Sequence, residues 1–121
     1  MDKYKFINEQ LSILEVPYEL NEWTAAVTYP YSVGEFNEDA PNTEDGHEHT
    51  TLTLTVFHRG KYIVLERIKG KIKKHFRDLR ARTDSGSIVV NYGGAFPIPS
   101  GEKDLKKIQI NIDIDEWKGE L

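Results

Sequence analysis

Ile108-Gln109-Ile110-Asn111-Ile112-Asp113-Ile114 decides the fold. Four isoleucines alternate with polar residues, and Asp115 continues the pattern. Successive side chains of a strand point to opposite faces, so this run predicts a strand with one fully apolar and one fully polar face. A sheet built on such a strand buries one side and presents the other to water, which is the antiparallel habit. The same alternation recurs upstream, where Leu52, Leu54 and Val56 interleave with threonines in His47–Gly60. β-branched threonine suits a pleated surface. From Glu22 to Phe36, Trp23, Ala25, Val27, Tyr29, Tyr31 and Val33 share one face, predicting a long strand bent at Pro30 and paired with the next strand as a hairpin. Ser87–Gly101 reads as a short strand punctuated by Gly93-Gly94 and two prolines, and Arg80–Gly86 as a turn-rich link.

Helical spacing appears twice. Tyr4, Ile7, Leu11 and Leu14 fall three and four apart, with Asp2 as N-cap and Pro17 beyond the end. After Gly60, Leu65, Ile68, Ile72 and Phe76 form an apolar stripe with lysines opposite; Gly70 lies on the polar side. The order α-β-β-α-β-β therefore predicts a single α+β domain over residues 1–121, its sheet mainly antiparallel and both helices on one face.

The chain has 121 residues, enough for one domain. Hydrophobic residues make up 38% and charged ones 30%, an apolar share low enough that partner subunits are expected to complete the surface. With Cys at zero, thiolate nucleophiles, thiolate metal sites and disulfides are excluded. No apolar run reaches the roughly 18 residues of a membrane span, and MDKYKFINEQ lacks an apolar signal core. No membrane partner is expected, and the chain is expected to begin its life in the cytoplasm.

Net charge is -4, which argues against bulk affinity for nucleic acid, yet the charges are segregated. Glu35, Glu38, Asp39, Glu44, Asp45 and Glu48 carry six negative charges between residues 35 and 49, with no Lys or Arg. The segment 37–49 is expected to be an exposed acidic loop, since NEDAPNTEDG cannot bury apolar surface. Residues 61–77 hold seven bases, among them Arg67, Lys69, Lys71, Lys73, Lys74 and Arg77, against the single acid Glu66. Such a helix can serve nucleic acid, but no aromatic residues interleave as stacking platforms and the acidic loop opposes a phosphate backbone. If instead the basic helix of one subunit meets the acidic loop of the next, a heterologous contact repeats and can close a ring. Solvated surface accounts for the same charges about equally well. The candidate interface residues are thus Glu38, Asp39, Glu44, Asp45 and Glu48 on one pole and Arg67, Lys69, Lys71, Lys73, Lys74 and Arg77 on the other.

His47 and His49 are weak metal candidates, two apart in a strand beside carboxylates, but a structural zinc needs four ligands. No GxSxG elbow, phosphate loop or dinucleotide turn is present, and the acids fall in solvated positions rather than apolar ones. Neither catalytic residues nor a cofactor are expected.

Taken in order, Glu22-Trp23-Thr24, Tyr29-Pro30-Tyr31-Ser32-Val33-Gly34-Glu35, Glu44-Asp45-Gly46, Phe57-His58-Arg59-Gly60, Leu65-Glu66 and Lys71-Ile72 resemble the minor tail proteins of long-tailed bacteriophages and prophages of Gram-positive hosts. More narrowly, the chain resembles the tail terminator, also called the tail completion or tail-to-head joining protein. The resemblance spans nearly the whole length and rests on the order and spacing of short, non-catalytic motifs. It implies a structural α+β protein that assembles as a ring, typically a hexamer, on the head-proximal end of the finished tail in the virion. The implied partners are further copies of itself, the tail tube protein and the head-tail connector. Free subunits are compatible with a monomer, assembled in the host cytoplasm. Three alternatives stay open: a nucleic-acid-binding module acting through helix 61–77, a neighbouring connector or minor capsid component, and a metal-dependent enzyme built on His47, Glu48 and His49.

Overall fold

A computed structural model describes residues 2–22, 26–38, 47–84 and 86–118. Helix α1 spans Lys3–Ile13, and the Asp2 carboxylate accepts the Lys5 N–H at 2.8 Å, satisfying one of the first-turn donors. Its buried residues are Lys3, Phe6, Ile7 and Leu11. The helix is rotated from the expected stripe: Tyr4 remains 42% exposed and packs its edge on Phe36, while Lys3 turns inward because acids await it there.

Six strands form one sheet: β1 Tyr18–Leu20, β2 Tyr31–Glu38, β3 His47–Arg59, β4 Leu79–Thr83, β5 Gly86–Ile98 and β6 Leu105–Lys118, ordered β1-β2-β3-β6-β5-β4. β1 runs parallel to β2 and every other neighbouring pair is antiparallel. The expected hairpin of β2 with β3 is present, and the isoleucine strand β6 lies at the centre between β3 and β5. Helix α2, Ile63–His75, crosses between β3 and β4 in chain order.

Leu52, Leu54, Val56, Ile88, Val90 and the isoleucines of β6 form the sheet's buried face. Phe6, Ile7 and Leu11 of α1 and Leu65, Ile68, Ile72 and Phe76 beside or within α2 cover it, so both helices sit on one face. His75 Nε2 and Gln10 Oε1 lie 2.7 Å apart and join the two helices. Gly70 has open space where a Cβ would stand, so nothing packs against it.

Several boundaries differ from expectation. The anticipated strand 22–36 begins only at Tyr31, since Pro30 has no N–H to give a ladder; Trp23, Thr24 and Ala25 lie outside the described residues. Its faces are also inverted: Ser32 and Gly34 are buried, while Tyr31 and Val33 share the open side with Thr55 and Phe57. Gly34 is required there, because a Cβ would stand 2.5 Å from Tyr18 Cε1 and 2.9 Å from Leu52 Cδ1. The expected link 80–86 is largely strand β4, and β5 passes through Gly93 and Gly94 as a bulge to reach Ile98.

Candidate subunit and partner interface

The acidic pole is narrower than the expected loop 37–49. Asn37 and Glu38 end β2, and His47, Glu48 and His49 begin β3, because both strands extend to pair with each other or with β6. Asp39, Glu44 and Asp45 lie outside the described residues. Glu38 Oε2 accepts from Lys3 Nζ at 2.5 Å and from the Tyr4 hydroxyl at 3.3 Å. Glu48 stands opposite Glu116 in the β3–β6 register. Lys3 Nζ also donates to Glu116 Oε1 at 3.2 Å and Thr50 Oγ1 at 3.1 Å, placing one buried cation among the carboxylates. Burial lowers the Lys3 pKa, but hydrogen bonds and charge from Glu38 and Glu116 outweigh it and hold the ammonium above its ordinary value.

The basic pole is helix α2 and its end. Lys69 Nζ lies 2.7 Å from Glu66, one turn back, and that hydrogen bond raises the lysine and lowers the carboxyl. Lys71 Nζ donates to the Leu14 carbonyl at 3.3 Å, and Lys73 sits 5.8 Å from the Tyr92 ring centre. Arg67, Lys74 and Arg77 have no acidic partner among the described residues.

His47 Nε2 and His49 Nδ1 lie 2.8 and 2.9 Å from the same oxygen, Asp115 Oδ1. The ladder explains it: His49 pairs with Asp115 directly, and His47 lies two residues along on the same face. His47 also stacks on Trp117, ring centres 4.8 Å apart. Partial burial raises the Asp115 carboxyl, yet the bonds from His49 and His47 win and hold it below its ordinary value. Among the described residues no three His, Cys, Asp or Glu side chains converge to hold a metal ion.

A patch on the sheet face opposite the helices was not anticipated. Tyr29 and Tyr31 ring centres lie 5.5 Å apart, and Tyr31 stacks on Phe57 at 4.8 Å and 14°. Arg59 caps the row at one end, 5.6 Å from the Tyr29 ring, and Lys107 at the other, 5.8 Å from Phe57. Arg59 is held in turn by Glu102 at 2.7 Å. Phe96, 47% exposed, stands on β5 beyond Gln109 on the same face. A row of aromatics capped by cations suits a protein interface, where Tyr, Phe and Arg are enriched at the centre. Its components occur in the stretches Tyr29-Pro30-Tyr31 and Phe57-His58-Arg59, but only the β2–β3–β6 register joins Tyr31, Phe57 and Lys107.

Comparison of the chain with protein-family models gives no match, and comparison with curated proteins gives none either.

Proposed function

We propose that this chain is a structural virion assembly protein. Copies form a ring, typically of six, on the head-proximal end of a completed phage tail tube, stop its growth and present the surface that joins the head. Partners are further copies, the tail tube protein and the head-tail connector, and the protein acts by binding rather than by catalysis. The observation that carries the reading is the molecule's two-sidedness. Helices cover one sheet face, and the opposite face carries the Tyr29–Tyr31–Phe57 row between Arg59 and Lys107, an arrangement that suits a docking surface. The cations Arg67, Lys74 and Arg77, without an acidic partner among the described residues, support a contact with acids of a neighbour. The resemblance of the ordered motifs to those of tail terminators gives that docking its context.

Loss of the gene from its phage or prophage tests the reading. The expected result is tails of abnormal length that fail to join filled heads. Tails of normal length that still join heads would refute it.

A further inference from the structure

We propose that the two edges of the sheet pair head to tail between copies, strand β1 of one subunit adding to strand β4 of the next. The proposal deepens the ring reading and rests on it for closure. An edge strand carries backbone donors and acceptors that another chain can complete, and proteins ordinarily protect such edges. β1 and β4 are the two ends of the strand order among the described residues, and they differ in charge.

Each edge alternates apolar and charged residues, and the alternations match. On β1 the parallel register sets Tyr18 and Leu20 beside the buried Ser32 and Gly34, hence on the helix side, and Glu19 beside Val33 on the open side. On β4, Leu79 and Ala81 lie on the helix side and pack against the core, while Arg80 and Arg82 are exposed on the open side. When β1 lies against β4 with the open faces continuous, Glu19 falls among the two arginines and Leu20, 45% exposed in the subunit, falls beside Leu79 or Ala81. With the open faces continuous and both sheets extending away from the joint, the strand directions of the subunit make the added β1 run parallel to β4, and the two-residue period keeps the faces matched.

Alternative pairings are disfavoured by the same charges. β4 against a second β4 sets arginine against arginine, and β1 against β1 sets Glu19 against Glu19; like charges directly opposite are destabilising. Each edge thus repels its own kind and accepts the other, which is the requirement for a heterologous contact that repeats. Arg82 has no acidic partner among the described residues, whereas Arg80 leans on Asp78 at 3.0 Å in an exposed pair that exchanges easily. Beside β4 the open face holds a groove of about 560 Å³ floored by Val89 and Trp117, which would continue under the added strand.

The chain lacks cysteine, so introduced thiols report contacts without background. Leu20→Cys is combined with Ala81→Cys, and separately with Leu79→Cys, leaving Glu19 and both arginines intact. On oxidation at high protein concentration and low salt, one of the double variants is expected to give a covalent ladder beyond dimer. Each single variant stops at dimer, and Leu20→Cys with Lys74→Cys, off the edge, gives no ladder. Adding Glu19→Lys should remove most of the ladder, and adding Arg80→Glu and Arg82→Glu to that variant should restore it. Higher salt should weaken it, as screening predicts. Double variants that match the singles, or a ladder indifferent to charge reversal, would overturn the proposal. Tails that still depend on the gene while no ladder forms would sink edge pairing alone; a charge-dependent ladder with normal tails in the gene's absence would sink the capping reading alone.

Discussion

Lys3 Nζ lies 3.2 Å from Glu116 Oε1, a bond between the first turn of the chain's first helix and its last strand. Both residues are 6% exposed, and the same ammonium holds Glu38 at the end of β2. One buried cation thereby fixes α1 across β2, β3 and β6, through Glu38, Thr50 and Glu116. The acidic end of the sheet is positioned by this junction, and the residues expected to meet a neighbour depend on it.

Removing the cation takes the ammonium from the buried Glu116 carboxylate, which is far more costly than losing an exposed ion pair. Lys3→Met is expected to destabilise the protein by about 3 kcal/mol in denaturant unfolding at neutral pH. Lys3→Met with Glu116→Gln should recover a good part of that loss, because the orphaned charge is gone. The folded pKa of Lys3 is raised, so its contribution is complete below the unfolded value of about 10.4 and disappears as pH rises through the folded one.

Two glycines should respond oppositely to alanine. Gly34→Ala drives a Cβ into Tyr18 and Leu52 and should cost roughly 2 kcal/mol, with β1 the first element to exchange its amide hydrogens. Gly70→Ala meets open space in the interior of α2 and should stabilise by up to about 1 kcal/mol. Thermal unfolding of the two variants checks both signs.

Asp115 supplies an acid-dependent component. Its folded pKa lies below the ordinary 3.8, so the stabilisation is present above that value and is lost as pH falls through the folded one. Asp115→Asn is expected to lower stability by about 1 kcal/mol near pH 5. The gap from the parent should close as the pH falls to about 2. A gap that widened on acidification would contradict the role of the His47 and His49 bonds.

The periodic elements were legible because their signal is local. Ile108 to Ile114, the Leu65-Ile68-Ile72-Phe76 stripe and the Asp2 cap each declare themselves within a few residues, and they occupy the places expected. β1 and β4 were not legible: Tyr18–Leu20 spans three residues, and the arginines of Leu79–Thr83 resemble a solvated turn until β5 pairs with them. The buried role of Lys3 depends on Glu116, a carboxylate distant in sequence that only folding brings near. The inversion of β2 has a similar origin. Ser32 is taken inward because its hydroxyl donates to the Pro17 carbonyl and its N–H to the same oxygen, which sends Tyr31 to the open face. The candidate docking row and the shared Asp115 oxygen are products of register, which no local pattern specifies.

The aromatic row is expected to matter for binding more than for folding. Tyr31→Ala and Phe57→Ala lie on the face opposite the helices and should each lower stability by no more than about 1.5 kcal/mol. On the proposed function, each should weaken attachment to the tail tube at least tenfold, as interface hot spots do. Co-sedimentation with tubes beside an unfolding curve separates the two effects.

Electron microscopy of the purified protein mixed with polymerising tail tube protein from the same phage or prophage tests the central claim most directly. The account predicts shortened tubes with a ring density at one end, and a ring whose symmetry gives the subunit number. Tubes of unchanged length with bare ends would contradict it.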